Sequence, residues 1–270
     1  MKETTIRGNR IRYEDRNAQQ EEVILLVHGH PFNHSMWKYQ YETLADFRLL
    51  LPDLKGYGQS DYAFDKIYIE GQALDLALLL DELQIEKVHL IGLSMGGQII
   101  VEFQRLFPTR VKSLAICAST PNAETPETYR NRLALADAIV EMGMTKYTEQ
   151  DIHKYINLEE VGEGSQVYQH LFQMMSQTPK EGAAASHRGR AERRDNFPYL
   201  GQIKVPTLVI AGEKDYFFPV EAVEKVAQAI EGAQFQVIKN SGHLPNMEQP
   251  ATFNRLIQHF YHKLTSIAHI

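Results

Sequence analysis

Val23-Ile24-Leu25-Leu26-Val27 contains no polar residue to mark an outward face, and short, largely apolar runs recur at 47–51, 87–91, 111–117 and 205–211. A strand that is apolar on both sides must be covered on both sides, which is the condition of a strand inside a parallel sheet. Between these runs, residues 67–83, 98–107, 219–230 and 250–264 repeat apolar positions at helical intervals. Strand and helix in alternation predict an α/β fold with a mostly parallel central sheet and flanking helices. Residues 5–7 and 10–13 alternate around Gly8-Asn9 and predict a hairpin before the sheet, while 234–238 predict a last strand near its end.

The alternation stops at residue 121. From there to residue 200 only helical spacing is found, at 128–142, 166–176 and 179–193, and the stretch is bracketed by Pro121 and Pro206. Residues 1–120 and 201–270 are therefore expected to form the α/β core, with 121–200 a helical cap inserted over the sheet's C-terminal edge, where open α/β sheets place their ligands.

Composition narrows the function classes. The chain has 270 residues, 43% of them hydrophobic, and a formal charge of −6, enough to bury a core and without the basic stripe of a nucleic-acid binder. The basic run Arg188-Gly189-Arg190-Ala191-Glu192-Arg193-Arg194 is interrupted by acid and is expected to be a solvated helix face. The one cysteine, Cys117, lies in an apolar run and is expected to be buried and inert. No run reaches the roughly 18 apolar residues of a spanning helix, and Met1-Lys2-Glu3-Thr4-Thr5 offers no apolar leader, so cytoplasmic residence without membrane association is the expectation.

Chemistry concentrates at Gly92-Leu93-Ser94-Met95-Gly96, a Gly-x-Ser-x-Gly run between a predicted strand and a predicted helix. So sharp a turn lifts a serine hydroxyl above the sheet edge, and Cβ atoms at Gly92 or Gly96 would crowd the helix against the strand. A serine nucleophile needs a base and a carboxylate to orient that base. Of eleven histidines, His243 is the candidate base, because Asn240-Ser241-Gly242-His243 follows the last strand and opens at the same edge. Asp215, in the loop after the preceding strand, is the candidate acid; Glu213 is its rival and Glu124 a remoter one. The order Ser94, Asp215, His243 is that of α/β-hydrolases. Backbone N–H groups of Met95 and of His30, in the turn His28-Gly29-His30-Pro31, are the candidate oxyanion donors. His28, His30 and His34 lack a carboxylate at ligand spacing, so no metal site is expected.

These motifs, together with Pro52-Asp53-Leu54-Lys55-Gly56-Tyr57-Gly58-Gln59-Ser60-Asp61, resemble the α/β-hydrolase superfamily over nearly the whole chain. Within it the pattern is similar to small capped serine esterases and lactonases such as the 3-oxoadipate enol-lactonase group. Lys55 departs from the arginine more usual at its position. The resemblance implies hydrolysis of a small-molecule ester or lactone through a Ser-His-Asp triad, without a cofactor. Two alternatives remain open: a cofactor-free perhydrolase or haloperoxidase activity, and a ligand sensor that keeps its triad and signals through a protein partner. Phe32, Trp37, Met142, Met174 and Met175 are expected to line an apolar substrate pocket. Arg188, Arg190 and Arg193 are expected to form surface salt bridges, with a substrate carboxylate as their alternative partner.

Overall fold

The computed structural model describes residues 1–63 and 65–267, the side chains of 265–267 excepted. The N-terminal hairpin pairs β1 (Lys2–Ile6) with β2 (Asn9–Arg16) in antiparallel register. Then follow β3 (Val23–Val27), β4 (Arg48–Pro52), α1 (Ile69–Glu82), β5 (Val88–Leu93), α2 (Met95–Leu106) and β6 (Val111–Cys117). The eight strands are ordered β1-β2-β4-β3-β5-β6-β7-β8, where β7 is Thr207–Gly212 and β8 is Gln234–Ile238. All pairings from β4 onward to β8 are parallel, and β2 meets β4 antiparallel.

Alternate residues of the central strands enter two different apolar clusters. Leu25, Leu90, Ile116 and Val209 pack beneath α1, α2 and α8 (Val220–Gln228). Ile24, Ile91, Ala115 and Ile210 face the other way, toward Phe253, Ile257 and Phe260 of α10 (Pro250–Ile267). Both faces are buried, which is why the strands carry no polar side to reveal an orientation.

Between β6 and β7 the chain forms α3 (Pro126–Met142), α4 (Met144–Asp151), α5 (Leu158–Val161), α6 (Gln166–Ser176) and α7 (Lys180–Ala191), and no strand among the described residues. Helix α3 begins on a reciprocal cap between Thr125 and Thr128 and stops at Gly143, whose φ of 79° ends the helix and lets α4 start in a new direction. Helices α4 and α5 were not visible in the sequence spacing; they are short, and Met144, Tyr147 and Thr148 of α4 bury only one narrow side. The sequence spacing predicts a helix from residue 67, yet α1 begins at Ile69 because Ile67 N–H donates to Ala185 O of α7 at 3.0 Å.

Candidate active site

Ser94 occupies the turn from β5 into α2 with φ 57° and ψ −119°, a conformation costing a non-glycine residue roughly 1–3 kcal/mol. The turn is held from below and beside: Ser94 N–H donates to Cys117 O at 2.9 Å, and Ser119 Oγ donates to Ser94 O at 2.7 Å. A Cβ on Gly92 would strike the Gly96 carbonyl, as the strand-to-helix argument requires. A Cβ on Gly96 would strike the Val27 and His28 carbonyls instead, so this glycine admits the end of β3. Met95 is the first residue of α2, so its N–H has no intrahelical acceptor and points out of the positive end of the helix.

Asp215 lies in the loop after β7, almost wholly buried. Its Oδ1 accepts the N–H groups of Phe217 (2.8 Å) and Phe218 (3.2 Å), and its Oδ2 lies 2.9 Å from His243 Nδ1. A carboxylate oxygen at Nδ1 makes that nitrogen the donor and leaves Nε2 with its lone pair free. The imidazole is walled by Phe217, Phe218 and Tyr155, with ring centroids 4.9, 5.7 and 6.0 Å away. Glu213, the rival acid, instead accepts from Asn240 N–H at 2.9 Å, and Glu124 lies among arginines.

Glu248, a residue without any motif to announce it, holds the His243 loop. Within α9 (Pro245–Glu248), its carboxylate accepts the N–H groups of Gly242, Leu244 and Asn157, each at 2.8 Å. Burial pushes its carboxyl up despite those three donors. Two of the amides flank His243, and the third belongs to the helical segment between β6 and β7.

The turn after β3 is tied to its surroundings through separate partners for each histidine. His28 Nδ1 donates to Gly29 O at 2.8 Å while Nε2 accepts from Leu54 N–H at 3.0 Å; burial pulls this imidazole down to about 4, so it stays neutral. His30 Nδ1 lies 2.8 Å from Tyr57 Oη, and His34 Nδ1 lies 2.6 Å from Asp53 Oδ1. Lys55, at the unusual position, is buried and pairs with Asp75 Oδ2 at 2.8 Å.

Ser94, His243 and His30 line one cavity of about 690 Å³. The expected apolar lining is corrected: Phe32, Trp37, Met174 and Met175 are fully or nearly buried in the apolar cluster on the α10 side, with Met142 packed at its margin, and none of the five lines this cavity. Helical spacing identified a buried side of α6, but that side meets the segment after β3, where His170 Nε2 lies 3.1 Å from Ser35 O. The cavity has a mixed lining instead, with Leu135, Tyr147, Tyr216 and Phe218 among its apolar and aromatic walls. It is lined by Arg132, Arg190, Arg193, His187 and Glu124, with Tyr155 and Phe217 beside His243.

The basic run is likewise corrected. Arg188 forms the expected exposed salt bridge, with Asp137 at 2.8 Å, but Arg193 and Arg132 converge on Glu124 and Arg190 is 5% exposed. Burial raises the Glu124 carboxyl, and the two guanidinium groups outweigh it and hold the group down at about 2. The charge spacing of the run resembles a surface; the signal for burial lies just before it, in Gly182-Ala183-Ala184-Ala185-Ser186, small residues that let α7 dock closely.

Residues 22–250 match the family described as the alpha/beta hydrolase fold. A thermophilic esterase from Thermogutta terrifontis, solved with malate bound, superposes with a TM-score of 0.91 at 35% identity, over 97% of this chain and 96% of that one. An enol-lactonase from Burkholderia xenovorans superposes with a TM-score of 0.89 at 25% identity, over 96% and 99%. In sequence, 3-oxoadipate enol-lactonase 1 of Acinetobacter baylyi is 29% identical over 229 residues, 84% of each chain. No helix among the described residues is long and apolar enough to cross a membrane. The family match, spanning the strained serine turn and reaching past the His243 loop, settles the kinship: this chain belongs to the α/β-hydrolase family.

Proposed function

We propose that the chain hydrolyses a small carboxylic ester or lactone through Ser94, His243 and Asp215, with residues 121–200 as a cap over the cavity. The observation that carries this reading is the buried 2.9 Å contact of His243 Nδ1 with Asp215, beside a serine in strained conformation that lines the same cavity. His243 Nε2 takes the Ser94 hydroxyl proton as Oγ attacks the carbonyl, and the Met95 and His30 amides hold the oxyanion. The imidazolium, stabilised by Asp215, returns the proton to the leaving oxygen. Water, deprotonated by the same nitrogen, then releases the acyl group. Esterase and lactonase relatives favour acyl hydrolysis over the peroxidase and sensor readings.

The test is a panel of esters and lactones of graded acyl length, with a fluorophosphonate label. The wild type is expected to label and to turn over part of the panel. Ser94→Ala is expected to lose the label and to fall by about 10⁴-fold or more in kcat. A wild type that neither labels nor hydrolyses any member would overturn the assignment.

A further inference from the structure

Five large apolar side chains are exposed among the described residues, and two of them, Tyr216 at 65% and Phe217 at 37%, are neighbours on the wall of the cavity beside Ser94. Scattered apolar groups on a surface are ordinary, but adjoining rings at a cavity mark a place where something binds. The two rings meet edge to face, with centroids 5.3 Å apart. Phe217 in turn lies 4.9 Å from the buried ring of Tyr155 and 4.9 Å from the imidazole of His243. The Tyr155 hydroxyl is engaged by that of Tyr147 at 2.7 Å. The three rings thus form a ladder from the side of His243 out to solvent. Tyr216 and Lys154 also line a second cavity of about 360 Å³, which carries the ladder on over Ile156, Asn157 and Leu158. The lysines of that second cavity are already matched, Lys154 by Asp151 and Lys214 by Glu159, so neither needs an anion from a ligand.

The ladder starts where the alcohol half of an ester has to lie. Acylation joins Ser94 Oγ to the carbonyl carbon, breaks the bond from that carbon to the alkoxy oxygen, and passes the serine proton through His243 Nε2 to that oxygen. The leaving oxygen must therefore sit within reach of Nε2, and the group it carries extends along the walls of His243. An aryl ring there gains edge-to-face and offset contacts of defined direction, which a saturated ring of the same size cannot make. We propose that Tyr155, Phe217 and Tyr216, with the second cavity beyond them, form a subsite for an aromatic leaving group. The compound attacked by Ser94 is then an open-chain ester of a neutral alcohol that carries an aryl ring, in place of a lactone. The inference rests on the hydrolase reading above and adds the alcohol half of the substrate to it.

Two readouts separate the claims. Acetate esters share one acyl-enzyme, so the ratio of kcat/KM for benzyl acetate to that for cyclohexylmethyl acetate reports the alcohol half alone. The wild type is expected to favour the benzyl ester by about tenfold. Tyr216→Leu, which stays apolar, is expected to lower that ratio by about threefold or more, and Tyr216→Phe to keep it; comparing variants also removes the intrinsic difference in reactivity between the two esters. Tyr68→Ala, which removes an exposed ring outside both cavities, is expected to match the wild type. The second readout is saturation-transfer NMR with benzyl alcohol, which needs no turnover. A signal is expected from the wild type and from Tyr216→Phe, and a weaker one from Tyr216→Leu. Should the leucine variant not fold, the wild-type comparison of benzyl alcohol with cyclohexylmethanol decides. A ratio unchanged in Tyr216→Leu with no benzyl alcohol signal overturns the subsite and leaves the hydrolase reading standing. A benzyl alcohol signal that depends on the Tyr216 ring, without hydrolysis of any ester, does the reverse.

Discussion

Asp215 divides its two oxygens between tasks: one fastens its own loop to the Phe217 and Phe218 amides, and the other faces His243. Asp215→Asn keeps an oxygen for the loop but sets an amide N–H₂ against Nδ1, favouring the tautomer whose Nε2 carries the proton. The expected result is an intact fold with kcat lower by about 10³–10⁴, read from initial rates beside a far-UV spectrum. Glu124 gives a prediction of a different kind. Its folded-state acidity is held at about 2, below its ordinary 4.5, so the ionised carboxylate stabilises the native state above the ordinary value. That contribution is lost as pH falls from about 4.5 toward 2. Acid unfolding followed by fluorescence is expected to show this loss, and Glu124→Gln to weaken the protein already at neutral pH while flattening its acid limb. Ser94, Asp215 and His243 were legible because each sits in a loop that follows a recognisable strand. Arg190 was not, since a charge in a linear sequence carries no sign of whether water or a helix lies over it.

The elements divide along the same line. The strands β3, β5, β6 and β7 were readable because burial on both faces leaves a largely apolar run, with His89, Lys112, Ser113 and Thr207 its few polar residues. The helices inserted between β6 and β7 show which side is buried but not what that side meets, so Met174 and Met175 pointed to a pocket they do not line. The short α9 gave no sequence signal, yet its Glu248 gathers three amides from two parts of the chain. Glu248→Gln replaces one accepting oxygen by a donor facing N–H groups. It is expected to cost about 1–3 kcal/mol in denaturant unfolding. A positioning role further predicts at least a tenfold fall in kcat with little change in KM, whereas loss of stability alone would leave both unchanged in the folded fraction.

At the scale of the whole molecule, the inserted helices and the sheet share one apolar cluster: Leu171, Met174 and Met175 of α6 pack with Trp37, Ile91 and Phe253. Neither part keeps a complete core alone. Thermal unfolding is therefore expected to be one transition, coincident in far-UV ellipticity and in the fluorescence of Trp37, the chain's single tryptophan. Two separated transitions would show the inserted helices to be an independent unit. The docking of α7 has a different consequence. A Cβ on Gly182 would strike the backbone of Gly56, and one on Gly189 the backbone of Ile67, so this helix rests main chain against main chain at two points seven residues apart. Helices separated from their support by large side chains can slide when those side chains change; α7 has no such cushion. Substitutions along α7 are therefore expected to act side chain by side chain, in place, without a shift of the helix.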